Sequence, residues 1–293
     1  MANNHGSLAS LLGVLVPPIR IVDIGALWLG DGALPYGPLL ESGRASVIGF
    51  EPIAEACESL NQRFQQQHHL YLPYAIGDGE KHLFHRCNSD MTSSLFEPDL
   101  TWMNLFQNLP ELCQVTSVQE IDTHRLDDVK EVSSVDYLKI DVQGAELDVL
   151  KGATRVLKDA LVIHTEVEFS PIYRGQPLFA DIDQFLRAQG FMFHRFLALK
   201  GRPLASLAAS GEAFRTVRQV LWSDAVYIRP ILGWNDLATE SLLRLAVILH
   251  EMYESFDFSA KLLQMYDDRT GTDYCPRYIS MVEQAGTMSC TTP

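Results

Sequence analysis

The chain has 293 residues, 47% hydrophobic and 20% charged, with a formal net charge of -14. That composition supports a globular protein with a sizeable core, and the acidic excess argues against a surface that tracks nucleic-acid phosphates, which needs Lys and Arg to displace counterions. Cys57, Cys87, Cys113, Cys275 and Cys290 contain no Cys-x-x-Cys pair, so they suit neither a disulfide framework nor a structural zinc site and point to a reducing, cytoplasmic setting.

Residues 8–16 are apolar, but the run is shorter than the ~20 residues a bilayer span requires. It lacks a basic flank and ends in Pro17-Pro18, so residues 1–18 read as an N-terminal segment and not as a signal peptide. Ile19-Arg20-Ile21-Val22-Asp23-Ile24-Gly25 reads as a buried strand entering a glycine turn, and 45–50 as a second strand ending at Glu51-Pro52. Residues 54–64 place Ala56, Leu60 and Phe64 on one helical side, and 70–76 read as a third strand; strand, helix, strand at this spacing is a parallel βαβ unit. Between Gly77 and Val135 the rhythm breaks. There 82–86 and 113–121 read as strands and 100–106 as a helix, an insertion beside the third strand.

Tyr137-Leu138-Lys139-Ile140-Asp141-Val142 is the next strand. At Gln143-Gly144 the pattern changes to a helical period carried by Ala145, Val149, Leu150, Ala153, Val156 and Leu157. Strands at 160–169, 191–199 and 220–228, a helix at 178–189 and a mobile loop of small residues at 201–216 complete a doubly wound α/β domain over 19–230 with a mostly parallel sheet. Residues 231–293 read as a helical extension. Leu242, Leu243, Leu245, Ala246, Leu249 and Met252 form an apolar stripe that predicts packing on the sheet domain or on a second copy of the chain. Its polar positions carry Glu240, Glu251, Glu254 and Asp257, unlike the Lys-rich face of a membrane-surface helix.

In open α/β sheets ligands bind outside the carboxyl ends of the strands, where Asp141 falls; it is either a functional carboxylate or a cap for the following helix. Asp23-Ile24-Gly25 closes the first strand with a glycine that lets backbone approach a ligand. Glu51, ending the second strand, can accept hydrogen bonds from both hydroxyls of a ribose, whether of an adenosyl group or of a nicotinamide dinucleotide. Alternation places His164, Glu166 and Glu168 on one face of their strand. Buried parallel strands are normally apolar on both faces, so these residues predict a wet, reactive cleft beside Asp141. Same-face neighbours lie ~6.6 Å apart, so the outer two span about 13 Å and the three cannot share one ion. A two-ligand site completed by Asp141 stays open, and no metal is expected. Tyr173-Arg174-Gly175-Gln176-Pro177 follows this strand as a candidate acceptor-recognition segment or a plain surface loop.

Lys139-Ile140-Asp141-Val142-Gln143-Gly144-Ala145-Glu146, followed by Val149-Leu150-Lys151-Gly152-Ala153, resembles the signature of FkbM-type methyltransferases, which move a methyl group from S-adenosylmethionine to a hydroxyl oxygen. The resemblance extends over about 21–229. Gln143 replaces the family's usual Glu. In the turn after the first strand, usually Asp-x-Gly-Ala-Asn-x-Gly, Leu27 replaces Asn and Gly30 arrives one position late.

The resemblance implies a Rossmann-like methyltransferase fold with S-adenosyl-L-methionine as cofactor. Asp23 and Gly25 would lie at its methionine part, Glu51 at its ribose, Ala75, Ile76 and Asp78 around its adenine, and Ser94 close by. Asp78-Gly79 is equally a good turn pair. Methyl transfer to a hydroxyl needs in-line positioning and a general base, for which Asp141 and Glu166 rank above His164. The implied acceptor is a hydroxyl on a sugar, polysaccharide precursor or secondary metabolite, with no nucleic acid or membrane span involved and with a homo-oligomer through the C-terminal helices among the expected partners. Two other functions stay open. One is a nicotinamide-dependent oxidoreductase, disfavoured because residues 25–30 lack the Gly-x-Gly-x-x-Gly spacing; the other is a binding or scaffold protein that has lost turnover.

Overall fold

The computed structural model describes residues 6–28, 34–65, 69–206 and 219–286. Gly30, Gly32, His68, Cys290 and most of the 201–216 segment lie outside them. In chain order the helices are α1 (Leu8–Leu12), α2 (Gly37–Glu41), α3 (Ala54–Arg63), α4 (Leu100–Met103), α5 (Glu146–Lys151), α6 (Phe179–Ala188), α7 (Thr239–Tyr253), α8 (Phe256–Thr270) and α9 (Tyr274–Gln284). The strands are β1 (Ile19–Ile24), β2 (Ala45–Phe50), β3 (His69–Leu72), β4 (Ala75–Ile76), β5 (Lys81–Cys87), β6 (Val115–His124), β7 (Tyr137–Ile140), β8 (Val162–Glu168), β9 (Met192–Lys200) and β10 (Trp222–Ile228). The chain divides into two compact units, one drawn from Met1–Ile21, Leu29–Ser46 and Arg229–Pro293, the other from Val22–Trp28 and Val47–Ile228.

The larger unit is built on a seven-stranded sheet of order β3-β2-β1-β7-β8-β10-β9. β2 with β3 and β7 with β8 pair parallel, whereas β10 runs antiparallel to both β8 and β9. The fold is therefore the doubly wound, mostly parallel α/β arrangement expected from the alternation of apolar strand and amphipathic helix. Its core joins Val22, Ile24 and Phe50 to Ile140 and Ile163, with Val149 and Leu150 of α5 and Ile182 and Leu186 of α6 packed upon them.

The expected third strand at 70–76 is two strands. Pro73 has no N–H to continue the ladder, and after it β4 leaves for a separate three-stranded sheet, order β4-β6-β5. The insertion thus builds a small sheet of its own. Gly152 of the signature fits where the chain passes Gly77: a Cβ at Gly152 would collide with the Gly77 carbonyl oxygen.

In the smaller unit the apolar stripe of α7 finds its partners in α1, α2 and α8, and Leu242, Leu245 and Leu249 are fully buried. Residues 8–16 therefore supply a covering surface that the sequence reading did not foresee. Polar contacts fix it: the Ser7 hydroxyl donates to Glu251 at 2.8 Å, Ala9 N–H donates to the same oxygen at 3.0 Å, and His250 lies between Tyr278 OH and Gly6 O, both at 2.9 Å. Truncation after Pro230 would uncover Leu8, Leu12 and Leu39, all buried in this unit. The expected outcome is aggregation or altered association on size-exclusion chromatography; a monodisperse, fully active truncation would contradict the packing. Among the described residues no helix is long and apolar enough to cross a membrane.

Candidate active site

The carboxyl ends of β1, β2, β7 and β8 gather most of the residues singled out by sequence. Asp23, in β1, is buried, and Gly25 after it has φ +78°. The reason for glycine is steric: a Cβ at Gly25 would fall on the Asp141 carbonyl oxygen. The turn is pinned on both sides, by Gly25 N–H and Ala26 N–H donating to Phe50 O at 3.0 Å each and by Asp141 N–H donating to Ile24 O at 3.0 Å.

Lys139 is a charged residue in an otherwise apolar buried strand. Its ammonium lies 3.1 Å from Asp23 Oδ1 and 3.8 Å from Asp141 Oδ2, and donates to Gly25 O at 3.2 Å. Burial alone would pull its pKa down, but Asp23 and Asp141 outweigh that and hold it above the usual lysine range.

Glu51 is 4% exposed and, among the described residues, accepts one hydrogen bond, from Ile53 N–H at 2.8 Å. Burial pushes its carboxyl up to about 7, with Asp90 and Asp23 adding to the rise against the Ile53 hydrogen bond. A buried carboxylate with so little hydrogen bonding fits a ligand that brings hydroxyl donors, as a ribose does. Because the folded-state pKa is raised, the folded protein holds a proton that the unfolded chain has released. Glu51 therefore lowers stability as pH rises from the ordinary glutamate range through about 7. Glu51→Gln is expected to be the more stable protein at pH 8 and to lose that slope in denaturation measured from pH 5 to 8; parallel curves for both proteins would contradict the burial argument.

At the turn from β7 to α5, Gln143 (φ +57°) and Gly144 (φ +101°) both take left-handed backbone. Buried Glu146 locks them by accepting from Val142 N–H at 2.9 Å and from Gly144 N–H at 3.0 and 3.2 Å. The Gln143 side chain then bridges the site: Nε2 donates to Asp141 Oδ1 at 2.8 Å and to Glu166 Oε2 at 2.7 Å, and Oε1 accepts from Tyr173 OH at 3.1 Å. A Glu at 143 has no donor to offer two carboxylates, so the departure from the family's usual residue has a structural purpose here.

Burial is the first cause that raises the Glu166 pKa, followed by Asp141, Glu168 and Glu146. Both nitrogens of His164 are engaged, Nδ1 with Tyr137 OH at 2.8 Å and Nε2 with Asp224 Oδ1 at 3.6 Å. Asp224 also meets Lys200 at 3.0 Å. Although burial would raise it, His164 and Lys200 hold Asp224 below the usual carboxylate range.

The remaining predicted residues sit at the small sheet. Ala75 and Ile76 form β4, paired with Thr123 and His124. Asp78 Oδ1 meets Glu80 N–H at 3.0 Å, His82 Nε2 at 2.9 Å and Thr123 Oγ1 at 3.3 Å, the pattern of a turn anchor. Ser94 donates to Gln143 O at 2.6 Å and accepts from Phe96 N–H at 2.9 Å, tying the insertion to the site turn. Arg174 pairs with Glu97 at 3.1 Å on the surface. Sequence reasoning gave no role to Lys139, Gln143 or Asp224. The signal for Lys139 was a charge in an apolar strand, whereas Asp224 emerges only from the antiparallel register that sets it opposite Glu166.

A sequence profile described as the methyltransferase FkbM domain matches residues 31–193, more than half of the chain. The chain belongs to the FkbM methyltransferase family. It is 30% identical over 190 residues to the 2-O-methyltransferase NoeI of Sinorhizobium fredii, covering 61% of this chain and 75% of that protein. Among solved structures it is similar to magnesium protoporphyrin IX methyltransferase (ChlM) from Synechocystis with bound SAM, at 14% identity and TM-score 0.38, covering 76% of each chain. It is also similar to the 1,6-didemethyltoxoflavin-N1-methyltransferase of Burkholderia thailandensis, at 13% identity and TM-score 0.35, covering 78% of each chain. As an FkbM methyltransferase the protein is an enzyme that uses S-adenosylmethionine as methyl donor, and the buried, sparsely hydrogen-bonded Glu51 carboxylate is suited to that ligand's ribose.

Proposed function

We propose that this FkbM methyltransferase methylates a hydroxyl oxygen of a sugar, polysaccharide precursor or secondary metabolite, with Asp141 as the general base. The observation that carries the reading is the Gln143 amide clamped between Asp141 and Glu166, which fixes two carboxylates at the carboxyl ends of adjacent strands. Asp141 keeps 37% of its side chain exposed, so an acceptor can reach it, while Glu166 is 9% exposed. His164, with both ring nitrogens engaged, ranks third. The bound donor supplies an electrophilic methyl group on a sulfonium. The protein's part is to align the acceptor oxygen with that methyl and to take the hydroxyl proton onto a carboxylate oxygen.

On the donor side Glu51 would hold the ribose, Asp23 and Gly25 the methionine part, and Ala75, Ile76 and Asp78 the adenine, with Ser94 holding the turn beside them. The name of the Sinorhizobium relative, a 2-O-methyltransferase, supports an oxygen acceptor. A small-molecule or glycan acceptor also agrees with the acidic net charge of -14, which disfavours nucleic acid. The free thiols of Cys57, Cys87, Cys113 and Cys275 support a reducing, cytoplasmic setting.

The test is transfer of isotope-labelled methyl from S-adenosylmethionine to a panel of hydroxylated acceptors, with the product's linkage read by mass spectrometry and NMR. A methyl ether is expected; label on nitrogen or carbon would refute the hydroxyl assignment.

A further inference from the structure

The end of β8 and the first residue of α5 bring together three carboxylates that the proposed chemistry does not all require. Glu146, Glu166 and Glu168 are buried, and each offers a carboxylate oxygen such that the three lie within 4.8 Å of one another. Along one strand His164, Glu166 and Glu168 span too far to share an ion, but Glu146, folded back over the site turn, supplies a third oxygen beside Glu166 and Glu168.

A second observation concerns Glu168 alone. It is 1% exposed, and its buried Oε2 has no hydrogen-bond donor among the described residues. Nor does a protein cation serve the group. Among the described residues none of the three glutamates forms an ion pair, Lys139 being paired with Asp23 and Asp141 and Lys200 with Asp224. Buried carboxylates left this way are costly unless a cation or proton joins them.

We propose that Glu146, Glu166 and Glu168 form a binding site for one hard divalent cation, Mg2+, Mn2+ or Ca2+. Oxygen ligands at ~2.0–2.6 Å from such an ion lie at most about 4–5 Å apart, which matches the span of the three oxygens. An all-carboxylate set favours these ions over zinc or copper. Glu146 still accepts the Val142 and Gly144 N–H groups, so the cation joins the site turn to the end of β8. With Glu166 committed to the ion, Asp141 is the carboxylate left to take an acceptor's proton.

The test uses the full chain, stripped with EDTA and titrated with MnCl2, with free Mn2+ read by electron paramagnetic resonance and thermal unfolding followed in parallel. One Mn2+ per chain and a rise in Tm are expected, with MgCl2 or CaCl2 competing. Glu168→Gln, which keeps the side-chain shape and removes a buried charge, should weaken Mn2+ binding at least ~10-fold and abolish the Tm rise. Asp122→Asn, an exposed carboxylate of β6, should change neither. Absence of Mn2+, Mg2+ and Ca2+ binding at millimolar concentration would overturn the proposal, as would binding unaffected by both Glu168→Gln and Glu146→Gln. Titration of S-adenosylhomocysteine into the stripped protein reads the donor site separately, so failure of the metal site and failure of the methyltransferase reading are distinguishable.

Discussion

Asp141→Asn is expected to lower turnover by ~10²–10⁴-fold while leaving S-adenosylhomocysteine affinity nearly unchanged, the range over which a positioned base accelerates proton transfer. Asn keeps the shape and an oxygen that can accept from the Gln143 amide, now 2.8 Å from Oδ1, but it cannot take a proton from a hydroxyl. Lys139 would lose one of its two carboxylate partners and keep Asp23 at 3.1 Å, so the fold should hold. The split between rate and affinity is the informative readout. If donor affinity collapses with the rate, Asp141 belongs to the donor side and Glu166 inherits the base role. If both Asp141→Asn and Glu166→Gln turn over normally on an identified acceptor, neither is the base, His164 is the next residue to test, and positioning alone becomes the leading explanation of the rate.

Gly25→Ala is expected to destabilise the protein by ~4 kcal/mol or more, at the exceptional end for a single substitution. Two effects add. The backbone at φ +78° is a conformation that a side chain disfavours, and the new Cβ would meet the Asp141 carbonyl oxygen, which is backbone and cannot swing aside. Relief requires parting the turn after β1 from the end of β7, which breaks the Asp141 N–H to Ile24 O bond and displaces Lys139 from Gly25 O. The variant should therefore fold poorly and lose donor binding together. Urea unfolding with a midpoint close to the parent's would show that the turn is softer than this geometry implies.

Much of this site is legible in the residues because strand and helix periods place side chains without knowledge of contacts. The apolar run into Gln143-Gly144 locates the β7 turn, and the polar alternation of His164, Glu166 and Glu168 sets β8 apart from an ordinary apolar strand. What a period cannot supply is partnership. That Gln143 would reach Asp141, Glu166 and Tyr173 at once depends on the left-handed backbone at 143. That Asp224 would face Glu166 depends on an antiparallel neighbour 58 positions later in the chain, the difference between the two residue numbers in the register. Residues 70–76 read as one strand through Pro73, and the departure of β4 into a second sheet follows from its pairing with β6. Leu8 and Leu12 read as an isolated apolar run until α7 gives them a surface to cover.

We propose that the carboxyl ends of β1 and β2 hold the methyl donor, with Glu51 on its ribose. Calorimetric titration of S-adenosylhomocysteine, and then of NADH, into the parent chain and into Glu51→Ala tests it most directly. The parent is expected to bind the first ligand and not the second, and Glu51→Ala, still folded, to lose about 2 kcal/mol of that affinity, roughly 30-fold. No heat from S-adenosylhomocysteine, binding of NADH in its place, or unchanged affinity in folded Glu51→Ala would contradict it.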